Sequence, residues 1–173
     1  MRTRIVIPAA VVAAAAAFGA GALATGQASS DTGSAAQIPR ENRALFAVLN
    51  GRKEVDAQGN RRAGDLDGRG TFSAIVDGTQ LCFGITVKNI DTPIAAHIHK
   101  GRRNQAGGVV VPLFPPLPTS GDPGTSSGCV PEPMDKPGLF AAILKNPHKY
   151  YANVHTGPFP GGAVRGQLFG MFN

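Results

Sequence analysis

The chain has 173 residues, 17 Lys and Arg against 11 Asp and Glu, a formal charge of +6 and two cysteines. This mild basic excess is not accompanied by a nucleic-acid-reading motif, so we expect no nucleic-acid partner. The signatures G-x-S-x-G and H-E-x-x-H and a phosphate-binding glycine loop are missing from the sequence, and no catalytic residue is assigned.

Residues 1–28 have the three zones of a secretory signal. A short basic start precedes an apolar run from Ile5 to Leu23, and small residues then permit cleavage after Ala24 or Ala28. An uncleaved membrane helix is the alternative, but proline and glycine interrupt the run. We therefore predict a secreted or extracytoplasmic protein with no stable membrane anchor after cleavage.

The segment after the signal, residues 29–43, is small, polar and without periodicity, which is typical of a disordered leader. The remaining residues, 44–173, have the length of one domain. We expect this domain to be a monomer.

Most of the domain is predicted to form short strands. The clearest is 81–87, where Leu81, Phe83, Ile85 and Val87 alternate with smaller or polar residues. Asp77-Gly78 before it indicates a tight hairpin. The other predicted strands are 45–49, 71–76, 94–99, 108–114, 150–155 and 163–169.

Two segments depart from this strand pattern. The proline-rich residues 115–137 are expected to contain no regular element. One short helix is predicted at 137–145, with Asp135 or Lys136 at its cap. The whole pattern predicts an all-β fold, an antiparallel β-sandwich of the immunoglobulin-like (Greek-key) or superoxide-dismutase-like kind.

The two cysteines, Cys82 and Cys129, are predicted to form a disulfide, because an even pair in a small exported domain is usually oxidised. Two buried free thiols are the alternative.

Two long motifs carry a family resemblance. Residues 95–101 read AAHIHKG, with GGVVVPL at 107–113, and residues 150–156 read YYANVHT, with FPGGAVRGQL at 159–168. Together they closely resemble the CHRD domain, a family first described in chordin. Leu49, Gly51 and Glu54 also match its L-x-G-x-x-E start. The resemblance covers about residues 44–170, and implies an all-β sandwich outside the cytoplasm with no established enzyme activity.

Three histidines are candidate metal ligands. His97 and His99 point to one face of a strand, and His155 lies on a second motif strand. Three converging imidazoles would suit copper or zinc. The alternative is a set of structural, hydrogen-bonded histidines with Glu54 or Asn153 as partners, and in that case no cofactor is required.

Arg165 and Gln167 share a face of the last strand and form, with Glu54 and Asn153, a predicted polar seam or binding surface. The Arg165 guanidinium would either hold a carboxylate or phosphate group or pair with an acidic neighbour such as Glu54.

The functional hypotheses are three. The first is a binding or structural role in the cell envelope or medium, with an unknown extracellular ligand and no catalysis. The second is a copper- or zinc-binding protein that uses the three histidines. The third is a basic module that adheres to anionic glycopolymers. The basic residues of the third hypothesis are Arg52, Lys53, Arg61, Arg62, Lys100, Arg102 and Arg103.

Overall fold

A computed structural model describes residues 43–114 and 124–170. The predicted signal and nearly all of the predicted leader lie outside these ranges. Within them, no helix is both long and apolar enough to cross a membrane.

The described residues form nine strands and one α-helix. These are β1 (Ala44–Asn50), β2 (Arg69–Asp77), β3 (Gln80–Lys88), β4 (Pro93–Lys100), β5 (Val109–Leu113), β6 (Gly124–Pro131), α1 (Leu139–Lys145), β7 (Tyr150–Thr156), β8 (Val164–Gln167) and β9 (Phe169–Gly170). The strands make one antiparallel sheet in the order β5-β4-β7-β8-β1-β2-β3-β6, and β9 pairs with β1. The predicted all-β antiparallel class is confirmed.

The two ends of this strand order come together, so the sheet is nearly closed. Phe114 follows β5 at one end, and its ring lies 6.2 Å from that of Phe83 in β3. The Ser126 hydroxyl of β6 donates to the Phe114 carbonyl at 2.9 Å. The inward faces of the two halves therefore oppose each other across one core, as in a sandwich.

The hairpin between β2 and β3 shows how alternation positions the core. The apolar residues predicted to share one face of β3 are all buried, and the residues between them are exposed or partly exposed. Asp77 pairs with Gln80, so the two loop residues are Gly78 and Thr79. The prediction placed Asp77-Gly78 at the turn, and the turn lies one residue later. Gly78 has a φ of 58°, which a residue without a Cβ adopts at little cost.

The strand β7 is different, because all seven of its residues are buried. It lies between β4 and β8, with the apolar core on one face and the polar side chains described below on the other. Phe140 and Ile143 of α1 also contribute to the core. Because both faces of β7 are covered, its residues do not alternate between buried and exposed.

The helix α1 begins at Leu139, two residues after the predicted start. Neither Asp135 nor Lys136 caps it, so that part of the prediction was wrong. The carboxylate of Glu132 instead accepts hydrogen bonds from the backbone N–H groups of Gly138 and Phe140, at 2.8 and 2.7 Å. A carboxylate from six residues upstream satisfies the free N–H groups that a local cap would otherwise serve.

The proline-rich segment contains a strand, which corrects the prediction of no regular element between 115 and 137. The strand β6 pairs with β3 along its full length at the end of the strand order. Its one proline, Pro131, is the last residue, and an edge strand tolerates a missing N–H there.

The disulfide between Cys82 and Cys129 is present, as predicted, and joins β3 to β6 at directly paired positions. Both cysteines are exposed on the outer face of the sheet. The alternative of two buried free thiols was therefore wrong.

Candidate metal site and the polar cluster beside it

The three predicted histidines come together on one face of two neighbouring strands. In the pairing of β4 with β7, Ala95 lies opposite His155 and His99 lies opposite Tyr151. One ligand nitrogen from each of His97, His99 and His155 lies within 4.8 Å of the other two. His99 and His155 are buried, and His97 is partly exposed. The strand pairing therefore produces a three-nitrogen cluster close to the surface.

Backbone carbonyls fix two of the rings. The Nδ1 of His99 lies 2.8 Å from the carbonyl oxygen of Gly107, and the Nδ1 of His155 lies 2.9 Å from that of Pro160. A carbonyl can only accept, so Nδ1 carries the proton in both rings and Nε2 keeps its lone pair. The buried Nε2 of His99 has no hydrogen-bond partner among the described residues. This arrangement is the one that typically orients metal-ligating imidazoles.

The third ring completes the cluster. The Nδ1 of His97 lies 3.0 Å from the Nε2 of His155. Because that Nε2 is an acceptor, the Nδ1–H of His97 donates to it when no ion lies between them. A metal ion bound to both nitrogens would replace this hydrogen bond and would move the His97 proton to its own Nε2.

The cluster favours neutral imidazoles. Burial, together with the nearby His155 and His99, lowers the pKa of His97 to about 4. Burial also lowers the pKa of His99 and of His155, although their backbone hydrogen bonds act in the opposite direction. Neutral imidazole is the form that ligates a metal, so the rings need not lose a charge-bearing proton first.

The side chains of His99, Tyr151 and Arg165 form a stack, with the tyrosine in the middle. The ring of Tyr151 is nearly parallel to that of His99, with centroids 4.8 Å apart. The guanidinium carbon of Arg165 lies 3.4 Å from the centroid of the same tyrosine ring. The stack combines an aromatic contact with a cation–π contact and limits the orientations open to His99.

Arg165 also faces a buried carboxylate. Its Nη1 lies 3.8 Å from the Oε1 of Glu54, and both side chains are almost fully buried. Burial raises the pKa of Glu54, while the N–H of Val55 and the charge of Arg165 partly offset that rise. The Asn153 side chain lies near Glu54 and His99 and has no well-aligned hydrogen bond within the described part of the chain.

The glycine at position 162 makes room for this carboxylate. Gly162 has a φ of 136°, and a Cβ there would collide with the Oε2 of Glu54 and lie 2.9 Å from the Nδ2 of Asn153. Close packing of backbone against the buried polar groups therefore depends on this residue.

A protein-family comparison bears on this architecture. The model of the CHRD domain matches residues 45–168, which include β4 and β7 with the three histidines and β8 with Arg165. The chain belongs to the CHRD-domain family. No curated protein and no solved structure matches the chain at a significant level.

In this CHRD domain the two motifs build one region. The AAHIHKG motif forms most of β4, the YYANVHT motif begins at Tyr150 and forms β7, and the final motif supplies the turn at Pro160 and then β8. These strands are neighbours in the sheet, in the order β4-β7-β8. The residues that carry the family resemblance are therefore those that position the histidines and Arg165.

The other predicted site residues have different positions. Gln167 is not in the cluster: its Nε2 lies 2.7 to 2.8 Å from the carbonyl oxygens of Gly101, His148 and Tyr150. The Gln167 amide thus connects the chain at the start of β7 with the loop after β4 through hydrogen bonds to backbone carbonyls. Cys82 and Cys129 lie in β3 and β6, elsewhere in the sheet.

Sequence reasoning missed three parts of the site. It did not predict the stacking role of Tyr151 or the carbonyls of Gly107 and Pro160 that orient the rings. The contact between His99 and Tyr151 could have been predicted, because both motifs were recognised and the two residues are paired in adjacent strands. The carbonyl contacts had none, because every residue has a carbonyl group and only the folded backbone aims it.

Proposed function

We propose that this protein is an exported CHRD-domain protein that binds a copper or zinc ion through His97, His99 and His155. The observation that carries the proposal is the convergence of three imidazole nitrogens within 4.8 Å, with two rings already oriented by backbone carbonyls. Histidine nitrogen is a ligand that both ions accept.

The competing structural interpretation explains less of the geometry. It accounts for the His97–His155 hydrogen bond and for both Nδ1 donations. It leaves the buried Nε2 of His99 without a well-aligned hydrogen bond among the described residues, although the Asn153 side chain lies near this ring. An unsatisfied buried polar atom costs about 1–3 kcal/mol, and a metal ion would remove that cost.

Three ligands also indicate what kind of site it would be. Structural zinc sites are usually closed by four protein ligands, whereas three protein ligands leave a position for solvent or a small molecule. His97 is partly exposed, so the remaining position would be reachable from solvent. The proposal includes metal binding and no reaction.

Export is supported by two independent features. The predicted signal at residues 1–28 would direct secretion. The Cys82–Cys129 disulfide is typical of an oxidising compartment. These two features support our proposal that the protein binds its metal in the cell envelope or the medium.

Metal analysis of the chain, expressed without a histidine tag, tests the proposal. We expect one copper or zinc ion per chain after metal loading and removal of the excess, and a higher melting temperature than in metal-free protein. At a metal concentration about 100 times the Kd, the added stability is about 2.7 kcal/mol. The larger rise in melting temperature identifies the preferred metal.

Two variants and one control define the ligands. His99→Gln and His155→Gln should each abolish the stoichiometric binding and the stabilisation. His148→Gln removes the fourth histidine, which is exposed and outside the cluster, and should retain both. If neither metal binds or stabilises the unaltered chain, or if the control loses as much as the two variants, the proposal is wrong.

A further inference from the structure

A basic pocket lies on the other side of Arg165, beside β1 and β8. Its volume is about 310 Å³. The lining residues come from four separate stretches of chain: Val48, Arg52, Lys53, Arg61, Arg103, Asn104, Arg165, Gln167 and Phe169. The fold therefore collects cations that are distant in sequence around one small space.

The charge in this pocket is one-sided. Five of the described lining residues are cationic and none is acidic. The pKa of Lys53 is lowered by partial burial and by the nearby charge of Arg103, in agreement with the clustering of cations in the lining. A bound anion would relieve this repulsion.

Arg165 gives the pocket a fixed inner wall. Its side chain is 2% exposed, its Nη2 donates to the carbonyl of Arg102 at 2.9 Å, and its plane lies on Tyr151. Its Nη1 faces the buried carboxylate of Glu54 at 3.8 Å, so this nitrogen is directed at an internal anion. Arg165 therefore adds a fixed positive charge to the pocket wall, while the exposed side chains of Arg52, Arg61 and Arg103 would supply the donors to an anion.

An apolar wall faces these cations. Phe169 is 49% exposed and Val48 is 57% exposed, and both line the pocket. The ring of Phe169 also packs against Phe46, with centroids 5.9 Å apart, so its position is supported. This wall suits the carbon skeleton of an organic ligand.

We propose that the pocket binds a phosphate ester, with the phosphate among the arginines and the organic part against Phe169. A carboxylate brings one charge and two oxygens, whereas a phosphate monoester brings up to two charges and three free oxygens for five clustered cations. The pocket shares Arg103, Gln167 and Phe169 with a neighbouring hollow of about 530 Å³. The site can therefore extend to a phosphate-bearing polymer such as poly(glycerol phosphate).

This inference refines the basic-module hypothesis. Arg52, Lys53, Arg61 and Arg103 line the pocket, together with Arg165, which that hypothesis did not include. Arg102 lines the neighbouring hollow. The proposal is independent of metal binding, because His97, His99 and His155 do not line the pocket.

Calorimetric titration of metal-free protein tests the site. The probes are glycerol 3-phosphate, inorganic phosphate and poly(glycerol phosphate), with glycerol as the uncharged control. We expect saturable binding of glycerol 3-phosphate at least about tenfold tighter than that of inorganic phosphate, and no binding of glycerol. Tighter binding of the polymer than of the monomer would identify the polymer as the source of the phosphate.

Exposed pocket residues allow variants that need not disturb folding. Arg52→Gln combined with Arg103→Gln should weaken phosphate-ester binding by at least about tenfold. The matched control is Arg62→Gln combined with Lys145→Gln, which removes the same charge from exposed positions that do not line the pocket. Its affinity should change by less than about threefold.

Three results would overturn the proposal. The first is no saturable binding of glycerol 3-phosphate. The second is equal affinity for glycerol 3-phosphate and inorganic phosphate, which would reject the ester. The third is an equal loss of affinity in the pocket variant and its matched control, which would show that binding depends only on the net charge of the protein.

Discussion

The two halves of the sheet bury very different groups. On the disulfide side, made of β2, β3 and β6, the strands β2 and β3 have buried apolar residues facing inward and exposed, mostly polar residues facing outward. The histidine side, made of β4, β7 and β8, buries Asn153 and Arg165 together with Glu54 from the chain after β1, all at most 2% exposed. Burial of apolar side chains on folding explains the arrangement of the disulfide side. On the histidine side, the burial of polar groups costs free energy of folding. The buried polar groups are the reason why we propose a function for the histidine side.

The largest expected effect is on the disulfide side. Replacing Cys82 and Cys129 together by serine should lower the free energy of unfolding by about 4 kcal/mol, because the cross-link closes a long loop in the unfolded chain. The separation in sequence is 47 residues. Urea denaturation measures the loss. Both cysteines are exposed, so serine sacrifices little packing.

The same variant should bind metal as the unaltered chain does, because the disulfide is not part of the histidine cluster. Reduced wild-type protein is the control and should lose a similar free energy of unfolding. A decrease of less than about 1 kcal/mol in the free energy of unfolding, or a simultaneous loss of metal binding, would contradict the proposed difference between the two sides.

A smaller effect is expected from the buried ion pair. Arg165→Met leaves Glu54 buried without its cation and should cost about 3 kcal/mol of the free energy of unfolding. Adding Glu54→Leu removes the stranded carboxylate and should recover much of that loss. Urea denaturation of the two single variants and the double variant gives the coupling between the residues.

The ion pair between Arg43, which precedes β1, and Asp77 of β2 is the control, because its carboxylate is exposed. The Nη1 of Arg43 lies 2.6 Å from a carboxylate oxygen of Asp77, whose side chain is 83% exposed. Arg43→Met should therefore cost less than about 1 kcal/mol. Equal losses for Arg43→Met and Arg165→Met would show that burial does not distinguish the two pairs.

The smallest effect concerns pH. The pKa of His97 falls from 6.5 to about 4 in the folded protein, so the unfolded chain binds more protons in this range. The stability of metal-free protein should be fully present above pH 6.5 and should decrease as the pH falls towards 4. We expect His97→Gln to reduce this decrease by roughly 1 kcal/mol or less, since His97 is partly exposed.

Urea denaturation across this pH range, with a chelator present, provides the measurement. His148→Gln is the control, because this exposed histidine lies outside the cluster, and this variant should retain the contribution of His97 to the pH dependence. A pH profile of His97→Gln identical to that of the unaltered chain would contradict the assignment of the depressed pKa to a buried histidine cluster.

The disulfide side was largely predictable, and its exceptions have physical causes. Strict alternation in β3 identified the strand and its buried face, because the side-chain period of a strand is two. The strand β6 was missed because proline was counted over a whole segment, whereas within the strand it occupies only the terminal position 131. The helix cap was missed because Glu132 reaches it from outside the usual capping positions.

The histidine side was predictable in composition and less so in arrangement. His97 and His99 had to share a face, and the family motifs placed His155 on a nearby strand. The sequence could not reveal which side chain stacks on which, or that Arg165 separates the histidines from a basic pocket. Those relations depend on register and on long-range loop positions, which no local pattern encodes.

The complete burial of β7 has a consequence for rigidity. Its amides are bonded to β4 on one side and β8 on the other, so they should exchange with deuterium only in the largest opening events of the protein. We therefore expect His155 and Tyr151 to be carried by backbone of low mobility. A ligand that binds there meets side chains already in position, and little of its binding energy is spent on ordering them.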